Sequence, residues 1–211
     1  MRIITGSARG AKLKAPKGQN TRPTADRIKE SLFNILGSFI YDKNVLDLFS
    51  GTGNLSLEAL SRGANHAIMV DCSLDSISTI KFNATHTKLI DKSTILKADV
   101  FATIKKLHLK QTKFDIIFCD PPYHQDLCLK VLQMLHEYPL LTEDGIIIME
   151  HAIEDKLPSD FHQYTLLRNQ KYGSTTQISI YELKSNKIKF RLQSFFSPKS
   201  RQIMTKIVSF G

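Results

Sequence analysis

Short apolar runs alternate with amphipathic stretches along most of the chain. Runs of about 4–8 apolar residues are typical of buried strands, and apolar residues spaced three and four apart are typical of helices. From Asn44 onward this pattern predicts a β-α-β-α order, which is typical of a parallel sheet with helices on both faces. The predicted strands are Asn44–Phe49, His66–Asp71, Ser93–Ala98, Phe114–Cys119 and Gly145–Glu150. The predicted helices between them are Asn54–Arg62, Ser73–Leu89, Val100–Leu109 and Asp126–Tyr138.

Different patterns precede and follow this alternating region. Residues 1–20 contain short β segments and turns, and residues 24–39 predict a helix with one apolar face. Near the other end, Tyr164–Tyr172 and Thr175–Leu183 are predicted to pair antiparallel and to close the sheet. The fold class is therefore α/β, a Rossmann-like and mostly parallel sheet with an antiparallel last strand.

Positive charge is concentrated at the two ends of the chain. The net charge is +9, yet residues 1–24 hold six Lys or Arg and residues 184–211 hold seven, neither with an acid. The part between them is slightly acidic. This distribution favours a polyanionic partner, although solvated termini would give the same composition. We expect one domain over 1–183, of which 1–40 form a basic N-terminal extension, and a basic tail over 184–211 whose structure the sequence leaves open.

The predicted strand Phe114–Cys119 ends at the sequence Asp-Pro-Pro-Tyr. Pro121 and Pro122 have no backbone N–H and cannot continue a central strand, so the chain must turn at the carboxyl edge of the sheet. Ligands of open α/β sheets bind at that edge. An acidic turn followed by a surface tyrosine is the alternative, but the combination favours a site in which Asp120, Pro121 and Tyr123 are catalytic.

A glycine-rich loop follows the first predicted strand and opens the next helix. Its sequence, Asp47-Leu-Phe-Ser-Gly-Thr-Gly53, lets the backbone approach a ligand, and we predict that Ser50, Gly51 and Gly53 bind a cofactor. A dinucleotide is disfavoured because Ser56 replaces the third glycine of its motif and Asp47 would repel a pyrophosphate. An amino-acid group fits better, since Asp47 can attract its ammonium. S-adenosylmethionine (SAM) carries such a group.

Two further acids follow the next two predicted strands. Asp71 is placed to accept hydrogen bonds from ribose hydroxyls, and Asp99 from an adenine amine. Either acid alone would more simply be a helix cap or a loop residue. Together with Asp47 and the glycine loop, they favour a nucleoside cofactor.

The cysteine, histidine and hydropathy patterns give no indication of a disulfide, a metal site or a membrane span. Cys72, Cys119 and Cys128 show no Cys-x-x-Cys spacing, and the seven histidines show no ligand spacing, so we expect neither disulfides nor a metal. No apolar run approaches the ~20 residues that span a membrane, and the first residues lack a secretory pattern. We expect a cytoplasmic protein without a membrane partner.

Several of these segments together resemble the RsmD family of 16S rRNA guanine methyltransferases. The resemblance lies in Arg2–Gly6, Arg22–Leu36, Asp47–Ala64 and Asp120–Tyr123, and it extends over about residues 1–183. It implies the seven-stranded class I methyltransferase fold, SAM as methyl donor, and methylation of the exocyclic amine of a guanine in small-subunit rRNA. Ser56 and Asp71 depart from the glycine and glutamate that the family usually has there.

From these residues we form a hypothesis of the mechanism. Asp120 and the Pro121 carbonyl accept hydrogen bonds from the amine, and Tyr123 stacks on the base. Arg22, Arg27 and Lys29 contact phosphates of the RNA, although each is equally consistent with a solvated cation. The expected partner is 16S rRNA within a small-subunit assembly particle, bound by a monomer.

Other functions share parts of this pattern. A DNA or protein-glutamine amino-methyltransferase uses the same Asp-Pro-Pro-Tyr chemistry, but the first usually needs a target-recognition region and the second has less use for basic ends. A non-catalytic RNA-binding assembly factor would not need Asp120 and the glycine loop intact. A NAD-dependent oxidoreductase is least favoured, because Asp47 would repel a pyrophosphate.

Overall fold

In the computed structural model, which describes residues 1–15, 23–123 and 125–184, an eight-stranded sheet runs through the molecule. The side chains of residues 23–25 are not described. The strands are β1 (Asn44–Asp47), β2 (His66–Asp71), β3 (Ser93–Lys97), β4 (Phe114–Cys119), β5 (Leu141–Ala152), β6 (Asp160–Phe161), β7 (Tyr164–Tyr172) and β8 (Thr176–Leu183). Their order across the sheet is β3-β2-β1-β4-β5-β8-β7-β6.

Strands β1 to β5 are parallel to one another. Strand β8 pairs antiparallel with β5, and β7 and β6 continue the sheet with antiparallel pairing. Strand β8 lies between β5 and β7, so the chain crosses over before it returns to the sheet. The predicted fold class is confirmed, but the strand count of seven is wrong. The strand that sequence analysis did not predict is β6. It is only two residues long, which is too short to produce a detectable alternating pattern.

The described residues form five helices and two 3-10 segments, of which the first helix and the first 3-10 segment precede β1. The helices are α1 (Pro23–Leu36), α2 (Asn54–Ser61), α3 (Leu74–His86), α4 (Val100–Leu109) and α5 (Leu127–Glu137), and the 3-10 segments are Gly37–Ile40 and Ile90–Lys92. One apolar cluster joins α1, α2 and α3 to one face of the sheet, and a second joins α4 and α5 to the other. Neighbouring residues such as Ile116 and Ile117 belong to opposite clusters, which explains why the central strands are continuously apolar.

The N-terminal extension packs against α2. A single antiparallel bridge joins Arg2 and Lys12, and the buried Glu58 carboxylate accepts hydrogen bonds from the backbone N–H groups of Ile4 (2.8 Å) and Thr5 (3.1 Å). The first residues are therefore part of the domain. The proposed tail lies outside the described residues, apart from Lys184, and so does Arg22.

Candidate active site

The glycine loop leaves β1 at the carboxyl edge of the sheet and leads directly into α2. Gly51 and Gly53 have φ angles of +53° and +76°, in the left-handed region that favours glycine. A Cβ atom on Gly53 would lie 3.2 Å from the Sδ atom of Met69. The Gly53 N–H donates to the Ser50 carbonyl (2.7 Å), which closes the turn. Both glycines thus adopt a conformation that other residues rarely adopt, and their contact with a cofactor remains a prediction.

Asp71 holds the glycine loop to the end of β2. Its Oδ2 accepts a hydrogen bond from the Gly51 N–H (2.9 Å) and its Oδ1 accepts one from the Ser73 N–H (2.8 Å). Each carboxylate oxygen has a second lone pair. Asp71 can therefore still accept from ribose hydroxyls while it fixes the loop, and the ribose role remains a prediction.

Asp47 lies beneath the loop and is almost completely buried. Its Oδ2 accepts a hydrogen bond from the Ser56 hydroxyl (2.9 Å), and Oδ1 has no partner among the described residues. Burial raises the pKa of Asp47 to about 7, and the hydrogen bond from Ser56 partly offsets that rise. The Ser50 hydroxyl also donates to the Asp47 carbonyl (2.9 Å). Ser56, the departure from the family pattern, is thus a direct partner of this acid.

An unpartnered buried carboxylate oxygen fits a ligand that brings a positive charge. The ammonium of an amino-acid group is such a charge, and the free N–H groups at the start of α2 favour its carboxylate. Protein covers both oxygens of Asp47, so a ligand reaches Oδ1 only if the glycine loop shifts. These residues therefore fit the SAM expected from the sequence, with a small rearrangement.

Asp99 is exposed and caps the next helix on this edge. Its Oδ1 accepts a hydrogen bond from the Ala102 N–H (2.8 Å) at the start of α4. This is the capping role that was considered for each acid alone. The two roles are compatible, because the capping bond uses one oxygen, and contact with an adenine amine remains a prediction.

Asp120 follows β4 at the same edge, next to the strand that carries the glycine loop. The Leu48 N–H donates to the Phe118 carbonyl (3.0 Å), so the two loops leave adjacent strands. Partial desolvation by the surrounding protein raises the pKa of the Asp120 carboxyl well above its usual value, and the negative charges of Glu150 and Asp47 raise it further. The side chain is still exposed to solvent, so its desolvation becomes complete only when ligands cover it.

Tyr123 is held by two groups that sequence analysis did not identify. Its hydroxyl donates to Oε1 of Glu150 (3.0 Å) and lies 3.2 Å from the Thr176 hydroxyl. Burial, followed by the negative charge of Glu150, raises the pKa of the Tyr123 hydroxyl. Burial also raises the pKa of Glu150. Glu150 could have been found by the rule that identified the other acids, because it ended a predicted strand, but Thr176 carries no such pattern.

An open cavity adjoins the Asp-Pro-Pro-Tyr turn. It is lined by that turn, by the start of α5, by His151 near the end of β5, and by the segment after β5, including Lys156. Prolines and the tyrosine ring supply flat apolar surface, and Lys156 supplies a cation. At about 30 Å³ the cavity has room for roughly one water molecule and not for a base, so it marks open surface beside the turn.

The three predicted phosphate contacts have different outcomes. Arg27 is exposed on α1, as the prediction requires. Lys29 is only 2% exposed, and its ammonium lies 3.2 Å from Glu58 and donates to Oδ1 of Asn54 (2.7 Å). The prediction for Lys29 is therefore wrong, because this side chain points into the interface of α1 with α2. Arg22 lies outside the described residues.

No group of three or more His, Cys, Asp or Glu side chains is placed to hold a metal ion within residues 1–15, 23–123 and 125–184. Among those same residues, none of the helices has the length and hydropathy needed to cross a membrane.

Comparisons with known proteins show the family to which this chain belongs. The family described as "Conserved hypothetical protein 95" matches residues 1–182. "Putative rRNA methyltransferase YlbH" of Bacillus subtilis is 39% identical over 182 residues, which cover 86% of this chain and 98% of that protein. "Ribosomal RNA small subunit methyltransferase D" of Escherichia coli is 34% identical over 178 residues, which cover 82% of this chain and 85% of that protein.

A solved structure has the same fold over nearly its whole length. "Putative methyltransferase yhhF" from Escherichia coli superimposes with a TM-score of 0.76 at 30% identity, covering 88% of this chain and 99% of that chain. The family match and these relatives confirm the resemblance found in the sequence, and the chain belongs to the conserved hypothetical protein 95 family, which is the RsmD family.

Proposed function

We propose that this protein transfers a methyl group from SAM to the exocyclic amine of a guanine in small-subunit rRNA. The supporting observation is that the glycine loop and the Asp-Pro-Pro-Tyr turn leave adjacent parallel strands, β1 and β4, at one edge of the sheet. A donor in the first loop and an amine at the second would lie side by side. The names of the relatives support rRNA of the small subunit as the substrate class.

The cofactor half of this proposal uses Asp71, Asp47 and the loop backbone. Asp71 accepts hydrogen bonds from the ribose hydroxyls, loop N–H groups donate to the amino-acid carboxylate, and Asp47 attracts the ammonium. Bound SAM supplies a methyl group on a positively charged sulfur, which is a strong electrophile. The three carboxylates Asp47, Asp120 and Glu150 give this edge the negative charge that a cationic cofactor favours.

The target half of the site, formed by Asp120, Pro121 and Tyr123, localises the electron pair of the amine on its nitrogen. A guanine amine is a weak nucleophile because its lone pair is delocalised into the ring. The Asp120 carboxylate and the Pro121 carbonyl accept its two hydrogen bonds, which moves the nitrogen towards tetrahedral geometry. The raised pKa of Asp120 makes its carboxylate a better acceptor for the proton that the methylated amine loses. Holding the two reactants in line supplies the largest part of the acceleration.

The base must leave its stack to reach Asp120, so the substrate is a single-stranded or flipped nucleotide. Tyr123 compensates part of the lost stacking, a contact worth about 1–3 kcal/mol. Arg27 and the basic ends contact phosphates, and the protein acts as a monomer on rRNA in an assembly particle.

Mass mapping of rRNA from cells with and without the gene tests the proposal. We expect one small-subunit guanine to lose a methyl group from its amine when the gene is absent. The purified protein with labelled SAM should then methylate that guanine in RNA from those cells. Comparing naked 16S rRNA with small-subunit particles identifies the preferred substrate.

The Asp120→Ala variant is expected to be inactive in this assay. Its matched control is Asp144→Ala, which removes an exposed acid at the opposite edge of the sheet and should remain active. Label that appears only on DNA or on a protein glutamine would contradict the proposal. Binding of SAM without any transfer would instead indicate an assembly factor.

A further inference from the structure

Glu150 is a carboxylate with an unusual set of neighbours. It lies at the carboxyl end of the parallel part of β5, one residue beyond Met149, which pairs with Cys119 of β4. Its side chain is half-buried and forms no ion pair among the described residues. Its one side-chain partner there is the Tyr123 hydroxyl. A partly desolvated acid without a cation lowers stability, so its position is better explained by function.

We propose that Glu150 is a positioning residue that fixes the Tyr123 ring against the target base. This inference rests on the proposed function, in which Tyr123 stacks on that base. Glu150 acts through the hydrogen bond that it accepts from the Tyr123 hydroxyl, on the side of the ring away from the backbone.

Two strands hold the hydroxyl from the same side. Glu150 comes from β5 and Thr176 from β8, and these strands pair so that Ala152 lies opposite Thr176. Prolines fix the backbone before Tyr123, but they leave the χ angles of the tyrosine free. The hydrogen bond removes that freedom before the base arrives. A ring that is already ordered gains more from stacking, because less conformational entropy is lost on binding.

The negative charge of Glu150 also raises the pKa of the Asp120 carboxyl. The titratable groups that face Asp120 are Glu150 from β5, Asp47 from β1, and Cys128 from α5, with the Tyr123 hydroxyl beside Glu150. All of them are neutral or negative, so none opposes the effect of Glu150. Removing its charge lowers the pKa of Asp120, and activity that needs the Asp120 carboxylate then persists to lower pH.

A double-mutant cycle on Glu150 and Tyr123 tests the inference. Methyl transfer to the rRNA substrate is measured in single turnovers for Glu150→Ala, Tyr123→Phe and the combined variant. Each single change should slow transfer by about tenfold, the effect of one hydrogen bond to a charged group. Both changes remove the bond between Glu150 and Tyr123, and Tyr123→Phe also removes the Thr176 contact. The combined variant should therefore be no slower than Tyr123→Phe, rather than slower by the product of the two losses.

Glu150→Gln keeps the shape and an acceptor oxygen but removes the charge. We expect a loss of about threefold or less at neutral pH, and an acid limb of the pH-rate profile displaced to lower pH. Affinity for S-adenosylhomocysteine, measured by calorimetry, should stay within about twofold of the wild-type value in all variants. Glu182→Ala on β8 removes another half-buried glutamate whose pKa is raised by burial, and it should leave the rate unchanged.

Multiplicative losses in the cycle would overturn the inference and leave the proposed function intact. An unchanged rate in Glu150→Ala would do the same. A wild-type protein that transfers no methyl group to rRNA would overturn the proposed function and, with it, this inference. Thermal melting of each variant separates a loss of fold from a loss of positioning, and Glu150→Gln carries the test if Glu150→Ala melts early.

Discussion

The two halves of the site are built from different kinds of contact. In the cofactor half, partners are near one another in the chain: Ser56 and Asp47 are 9 residues apart, and Gly51 and Asp71 are 20 apart. In the target half, Tyr123 contacts groups 27 and 53 residues away. The cofactor half is therefore set by one β-α-β unit, whereas the target half depends on the register of strands that meet only in the finished sheet.

The two halves also differ in how their acids are satisfied. Asp71 accepts two backbone hydrogen bonds, and its position is fixed before any ligand binds. Asp120 and Glu150 lie beside each other at the ends of β4 and β5, where partial desolvation by the surrounding protein, followed by the negative charge of Glu150, raises the pKa of the Asp120 carboxyl. Under the proposed function, the cofactor half holds a ligand and the target half is the part expected to accept a proton.

The largest effect is expected in the target half, from Asp120→Asn. The amide retains the size of the side chain but cannot take the proton, so methyl transfer should slow by about 10²–10⁴-fold. Affinity for S-adenosylhomocysteine should change little, because the proposed partner of Asp120 is the target amine and not the cofactor. Single-turnover rates and calorimetry measure the two effects, and activity within a few-fold of the wild type would remove Asp120 from the chemistry.

The opposite result is expected for Asp71→Ala in the cofactor half. The change removes the ribose acceptor and the bond that holds Gly51, so affinity for S-adenosylhomocysteine should fall by about 10- to 100-fold. Asp75→Ala, an exposed acid on α3, is the matched control and should bind normally. Retained affinity in Asp71→Ala would reject the ribose assignment.

A smaller effect should appear when the pH is varied. The pKa of Asp47 is raised to about 7, so the carboxyl becomes protonated as the pH falls through 7 and no longer attracts an ammonium. Cofactor affinity should then decrease by at most ~tenfold per pH unit, as measured by calorimetry from pH 5.5 to 8.5. Asp47→Asn should abolish this dependence. Because the folded pKa lies above the unfolded one, ionising Asp47 lowers the stability of the ligand-free fold as the pH rises from about 4 to about 7.

The smallest effect concerns RNA binding by α1. Arg27→Ala removes one phosphate contact, so the slope of log K against log salt should become shallower by about 0.7–0.9. Lys29→Ala, two residues along the same helix, should leave that slope unchanged and lower the melting temperature, since it removes a buried partner of Glu58. Titrations of rRNA at several salt concentrations and thermal melts measure both variants, and equal slopes in wild type and Arg27→Ala would exclude Arg27 from the interface.

This contrast also explains what the sequence could predict. Glycines at positive φ and acids that follow apolar runs are local features, so the glycine loop, Asp71 and Asp120 were identified from the chain alone. The partners of Tyr123 were missed because Thr176 comes next to β5 only through the crossover that places β8 between β5 and β7. Lys29 was misplaced for a related reason: helical spacing put it off the apolar stripe, and only the packing of α1 on α2 shows that its ammonium is buried.

The contact between the first residue and the glycine loop has a practical consequence. The Thr52 hydroxyl lies 3.3 Å from the sulfur of Met1, and the Asn83 side chain joins the Thr52 carbonyl to the backbone of Lys14. A purification tag fused ahead of Met1 would emerge beside the turn that is expected to hold the methyl donor.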